Sequence, residues 1–141
     1  MNVRQVLHTI LEKEGFRDIK VVGQFLTAVD PEGVERAVAY QAIRGKSYIY
    51  VSRQAKRLAE ESENTLYFVL LEEKDTIEYV GFDGKVLVHG ILALPVMISK
   101  ARIRKIKRHM LESRDPHLKY FGWIRLDEVK EKREMKIVVT V

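Results

Sequence analysis

Val3, Val6, Leu7, Ile10 and Leu11 recur at the i, i+3, i+4, i+7, i+8 spacing of a helix with one apolar face, opened by Asn2 as a cap and closed by Gly15. Residues 19–22 and 25–29 then read as extended. Asp30-Pro31-Glu32-Gly33 has Pro and Gly where a type I turn wants them, so the pattern predicts a hairpin with residues 34–43 as its return strand. Residues 45–50 are short and aromatic. Ser52 is placed to cap a helix over residues 53–63, with Ala55, Leu58 and Ala59 as its buried stripe. Residues 65–71 form a near-continuous apolar run of strand formers, which predicts a strand in the middle of a sheet, covered on both faces.

Further on, residues 76–80 and 85–88 flank Phe82-Asp83-Gly84, and Asp-Gly between apolar runs signals a hairpin. A helix is expected from Pro95 to about Leu111, with Pro95 at its first position and Met97, Ala101, Ile103 or Ile106, and Met110 facing inward. After the break at Asp115-Pro116, residues 120–126 and 134–141 read as strands around the charged stretch 127–133. No repeat or linker divides the chain, so one domain is expected over residues 1–141. The class is mixed α/β (α+β): a central mixed β-sheet flanked by helices.

Composition narrows the chemistry. There is no cysteine, which excludes disulfides, thiolate metal sites and a thiol nucleophile, and suits a cytoplasmic protein. Residues 1–15 mix charge into their apolar positions, unlike a signal or transit peptide. The longest apolar run, residues 90–98, is far short of the roughly 20 residues that span a bilayer, so no membrane partner is expected. Charged residues make up 32% of the chain, a bias toward thermophilic surfaces. The net charge is +5, yet Lys100, Arg102, Arg104, Lys105, Lys107 and Arg108 alone carry more than that with no acid among them. The basic character is therefore local, and a local charge can be a site.

His8, His89, His109 and His117 stand apart from one another, and no GxSxG, P-loop or GxGxxG pattern occurs, so hydrolase triads and nucleotide chemistry have no support. Glu60, Glu61 and Glu63, or Glu72, Glu73 and Asp75, are acid clusters of the kind that can hold Mg²⁺, or else solvated charge at element ends. Lys100, Arg104, Lys107 and Arg108 fall on one side of the expected helix, and Arg102 and Lys105 broaden the stripe. Such a stripe neutralises phosphates and binds without reading sequence; the alternative is a solvated face whose cations suit the helix C-terminus. Anionic membranes attract similar helices, but Trp and Phe are absent from this one. Two stretches mix cations with aromatics: Arg44, Lys46, Tyr48 and Tyr50 running into Arg53, Lys56 and Arg57, and Lys119, Tyr120, Phe121, Trp123 and Arg125. Mixtures of this kind can stack bases while holding phosphates, although aromatics also serve as core.

In order, LEKEGF at residues 11–16, VVG at 21–23, FLTAVDPEGVERAVAYQAI at 25–43, VSRQAKRLAEE at 51–61 and TLYFVLL at 65–71 give helix, hairpin, helix and strand. Residues 3–71 thereby resemble the core of the restriction-endonuclease-like (PD-(D/E)xK) nucleases, the superfamily that includes archaeal Holliday junction resolvases. The resemblance implies an acid in the first hairpin strand, then an acid or Gln and a Lys two residues apart in the second, for Mg²⁺ and the attacking water. Aligning the hairpin turns puts Phe25, Ala39 and Gln41 at those positions. Shifting by two puts Gln41 at the second acid position and Ile43 where Lys belongs, with Asp30 left in the turn. The resemblance thus implies a nuclease-like scaffold with a degenerate active site, unless Glu12 or Glu14 with Arg44 and Lys46 rebuild one.

The expectation is a nucleic-acid-binding protein, with DNA ahead of RNA, contacting phosphates through Arg44, Lys46, Arg53, Lys56 and Arg57 and through Lys100, Arg104, Lys105, Lys107 and Arg108. It needs no cofactor. A divergent Mg²⁺-dependent endonuclease using Glu12, Glu14 or Asp30 is the enzymatic alternative. An adaptor that forms a homodimer through the apolar run 135–141 is the third.

Overall fold

The computed structural model describes residues 2–45, 48–93 and 97–129 and the backbone of residues 136–138. The first helix, α1 (Val3–Lys13), starts where the Asn2 side chain accepts the Arg4 N–H at 2.9 Å. It buries Val6, Leu7, Ile10 and Leu11, the expected stripe. Strands β1 (Arg17–Val22), β2 (Phe25–Val29) and β3 (Glu35–Ile43) follow as an antiparallel meander. Asp30 makes the second turn: its buried carboxylate accepts the N–H groups of Glu32 and Val34, at 3.0 and 2.8 Å, and the Arg36 guanidinium at 2.8 Å.

A three-residue strand, β4 (Tyr48–Tyr50), leads to helix α2 (Arg53–Glu61), where the Ser52 hydroxyl accepts from Gln54 and Ala55. This helix carries the chain over to β5 (Thr65–Glu72), which lies parallel to β3, Ala37 opposite Thr65 through Ile43 opposite Leu71. β5 is buried from Thr65 to Leu71, as a strand covered on both faces must be. It turns into the antiparallel β6 (Thr76–Asp83).

Two expectations fail in the next stretch. The Phe82-Asp83-Gly84 hairpin does not form: residues 86–89 are a single helical turn, α3 (Val86–His89). The Asp83 carboxylate accepts the Lys85 N–H at 2.9 Å just ahead of that turn, which buries the adjacent Val86 and Leu87 in the same cluster, whereas neighbouring residues of a strand face opposite sides. Gly84 is needed because a Cβ there would lie 2.9 Å from Thr65. The basic helix also begins later than Pro95, which lies outside the described residues. Met97–Ser99 is instead a strand, β7, pairing with β4 in a separate two-stranded ribbon, and Ser99 caps helix α4 (Lys100–Ser113) by accepting the Arg102 N–H. Met97 and Ala101 are consequently exposed, whereas Ile103 and Met110 are buried as expected.

The place beside β6 is filled by β8 (Leu118–Arg125), paired from Thr76 opposite Arg125 to Phe82 opposite Leu118. After a 3-10 turn at Leu126–Glu128, β9 (Lys136–Val138) adds in parallel to β1; the rest of the run expected over 134–141 lies outside the described residues. The mixed sheet thus runs β8-β6-β5-β3-β2-β1-β9. α1 packs on one face, against Leu66, Phe68, Leu70, Ile77 and Tyr79. α2, α3 and α4 cover the other, against Tyr67, Val69, Leu71, Val80 and Phe82. Among the described residues no helix is long and apolar enough to cross a membrane.

Gly81 on β6 marks how tightly the α1 face is filled, since a Cβ there would sit 2.8 Å from the buried Phe68 ring. Gly81→Ala should therefore cost about 1–3 kcal/mol and lower the thermal midpoint by about 3–10 °C, followed by circular dichroism; an unchanged midpoint would show that the ring moves aside freely.

Candidate nucleic-acid interface

The six cations of α4 divide into two sets. Lys100, Arg104 and Lys107 point back at the sheet, onto two acids of the β5–β6 hairpin. Glu78 accepts from the Arg104 Nε at 2.8 Å and from the Lys107 Nζ at 2.9 Å. Glu73 accepts from the Arg104 Nη2 at 2.6 Å and lies 3.6 Å from the Lys100 Nζ, which also donates to the Glu72 carbonyl. Partial burial would raise the Glu78 pKa, but the hydrogen bonds from Arg104 and Lys107 outweigh it and hold the carboxyl below its ordinary range. The hydrogen bond from Arg104 and the charge of Lys100 do the same for Glu73. Arg102, Lys105 and Arg108 occupy the solvent side of the helix, and among the described residues none of them forms an ion pair.

On α2, Arg53 and Arg57 are likewise exposed and outside the described ion pairs, whereas Lys56 lies 3.9 Å from Glu60. Arg44 pairs with Glu72 at 2.6 Å, so two acids of the second trio, Glu72 and Glu73, are committed to cations. Lys46 lies outside the described residues. The β4–β7 ribbon links the two helices. Tyr50, three residues before α2, pairs with Met97, three residues before α4, so both helices start from one short ribbon on the same side of the sheet. The exposed rings of Tyr48 and Tyr50 lie on it, edge to face at 5.9 Å.

Phe25, Ala39 and Gln41 do converge, on a groove completed by Gln24, Ser52 and Gln54 whose lining holds no charged side chain. Gln41 braces the start of α2 there. Its Nε2 donates to the Tyr50 carbonyl at 2.7 Å, and its Oε1 accepts the Ser52 N–H at 2.8 Å and the hydroxyl of Tyr67, a group whose pKa burial pushes up. These residues do not fit Mg²⁺, which needs carboxylate ligands. The carboxylates of the enzymatic alternative are each engaged: Glu12 with His8 at 3.2 Å, Glu14 with the Tyr79 hydroxyl, and Asp30 in its turn. Among the described residues no three acids or histidines form a group that could hold a metal ion.

A further set of residues gathers at the β8 edge. Alternation along that strand turns Phe121, Trp123 and Arg125 to the side that carries α4, while Tyr120 and Ile124 turn inward toward α1; a register shift at Lys119 interrupts the alternation, and Leu118 packs with the α4 layer. Phe121 and Trp123 are 46% and 58% exposed and, with Arg104 and Lys107, line a groove of about 440 Å³ between β8 and α4. The signal that finds them in the sequence is the two-residue period, which separates the outward rings from the core ring Tyr120.

No protein-family model matches the chain, and no curated protein and no solved structure matches it at a significant level.

The ion-pair network makes a prediction about acid. A carboxyl with a depressed folded-state pKa contributes stability above its ordinary value, about 4.3 for Glu, and loses it as pH falls through the lower folded value. Wild type should therefore lose stability below about pH 4 as Glu73, Glu78 and Asp30 protonate. Glu78→Gln should cost roughly 1–2 kcal/mol at neutral pH, because solvent still reaches the pairs, and should show a shallower decline in acid. Urea unfolding between about pH 7 and 3 checks both, and parallel curves for the two proteins would refute the assignment.

Proposed function

We propose that this protein binds nucleic acid, DNA ahead of RNA, through its phosphates, using a cationic surface built from α2 and α4. The observation that carries the reading is the division of charge on α4. Glu73 and Glu78 hold Lys100, Arg104 and Lys107 against the sheet, which leaves Arg102, Lys105 and Arg108 as exposed cations without a described acid partner, on the side of the sheet that also carries Arg53 and Arg57. Cations already neutralised by carboxylates release few counterions on meeting a phosphate; unpaired ones release them fully. Lys105 and Arg108 stay in the proposed contact set, while Arg104 and Lys107 become positioning residues that anchor the helix.

The scaffold we infer is a restriction-endonuclease-like core without its acids and lysine. Support comes from the order α1, β1–β2–β3, α2, β5, in which β3 and β5 lie parallel around a helical crossover. The uncharged groove at Phe25, Ala39 and Gln41 supports binding rather than cleavage.

Labelled duplex and branched DNA, titrated across a salt series, test this. With five phosphates neutralised, log K should fall against log salt with a slope of about −4 to −5. Arg102→Glu/Lys105→Glu/Arg108→Glu should abolish binding without lowering the thermal midpoint, because it touches no described ion pair. Undiminished binding by that variant, or no binding at low salt, would overturn the proposal.

A further inference from the structure

We propose that the β8 edge is a stacking platform for the unpaired bases of a single-stranded nucleic acid, seated on Phe121 and Trp123 with the Lys13 ammonium at a neighbouring phosphate. The proposal rests on the nucleic-acid reading above and narrows it to a form of strand.

Each exposed ring has its own cation. The Lys107 Nζ lies 5.7 Å from the centre of the Phe121 ring, and the Lys13 Nζ lies 5.9 Å from that of Trp123. Lys13 reaches this position from the end of α1, on the opposite face, by donating to the Trp123 carbonyl at 2.9 Å across the free edge of the strand. Arg125, at the end of the strand beside Trp123, is already paired with Asp127 and Glu128, at 3.3 and 3.5 Å. Lys107 is held by Glu78, whereas Lys13 lies outside the described ion pairs, so the edge offers a single strand two π-faces for its bases and, beside Trp123, a cation for the phosphate. Glu73 and Glu78 at the back of the groove do not repel that phosphate outright, because Arg104, Lys107 and Lys100 already neutralise them.

Spacing argues for an unpaired strand. Residues two apart on a strand face stand about 6.7 Å from each other, roughly twice the 3.4 Å rise between stacked bases of a duplex. A base placed on either ring, or inserted between them, has left the stack of its neighbours, which a paired base does not do. A second copy of this chain fits less well. Antiparallel pairing of β8 with itself centred on Gly122 would bring ring to ring, but the register of β8 shifts between Leu118 and Tyr120, and a bulge of that kind works against edge-to-edge pairing.

Trp123 is the only tryptophan of the chain, so its emission reports on this edge alone. Oligo(dT), oligo(rU) and a blunt duplex, each end-labelled, are titrated while Trp123 emission and the anisotropy of the label are read together; the first two distinguish DNA from RNA. Single strands should quench the emission saturably. Phe121→Ala and Trp123→Ala should each weaken single-strand binding by about tenfold and duplex binding by less than about twofold, with Trp123→Phe restoring most of the affinity because stacking tolerates either ring. Single strands that bind without quenching and tolerate both alanine changes would overturn the platform and leave phosphate binding standing. Equal weakening toward the duplex would overturn the restriction to single strands. Binding of no strand form would overturn both proposals, and an emission shift with protein concentration alone would give the rings to a second copy.

Discussion

Burial of β5 from both sides is the constraint from which the rest of the architecture follows. A strand with Leu66, Phe68 and Leu70 on one face and Tyr67, Val69 and Leu71 on the other needs cover on both, and cover on both sides requires a three-layer arrangement. α1 supplies one layer. α2, α3 and α4 supply the other, and the α2 crossover that makes β5 parallel to β3 puts the beginning of α2 next to the ribbon from which α4 also departs. The layout of cations is thus a by-product of how the apolar surface of one strand is covered.

Electrostatics then sorts those cations. A helix with six basic residues and no acid among them would repel itself and solvate evenly if nothing faced it. Glu73 and Glu78, on the hairpin beneath, take three of the charges and leave the rest in water. The two acids therefore act twice, fixing the helix to the sheet and setting the direction in which its remaining charge points. Gln41 shows a related economy of roles. In the uncharged groove that it shares with Phe25 and Ala39, its amide is spent on bracing Tyr50, Ser52 and Tyr67.

The two ends of the sheet are handled differently. At one, β9 adds to β1 within the chain, so that part of the apolar C-terminal run is used inside its own fold. At the other, β8 remains an edge, and a single lysine from α1 reaches across it to the Trp123 carbonyl. An edge with a register shift in it resists pairing with copies of itself, and it keeps two rings accessible.

Much of this is local and therefore legible in the residues themselves. The apolar stripe of α1, the Asp-Pro-Glu-Gly turn, the Ser52 cap and the two-sided burial of β5 follow from period, capping chemistry and turn geometry over a few neighbouring positions. The composition of the basic segment was equally plain. Only the tertiary structure decided that Asp83 leads into a helical turn and leaves the place beside β6 to a strand 35 positions further on, Leu118 opposite Phe82, because strand pairing is a contest between distant segments. It also decided where α4 begins, since Met97–Ser99 is a strand only by virtue of β4. And it decided which cations are open to a ligand, because Arg104 and Arg108 are alike in sequence and differ only in what the fold sets in front of them: Glu78 for the one, water for the other.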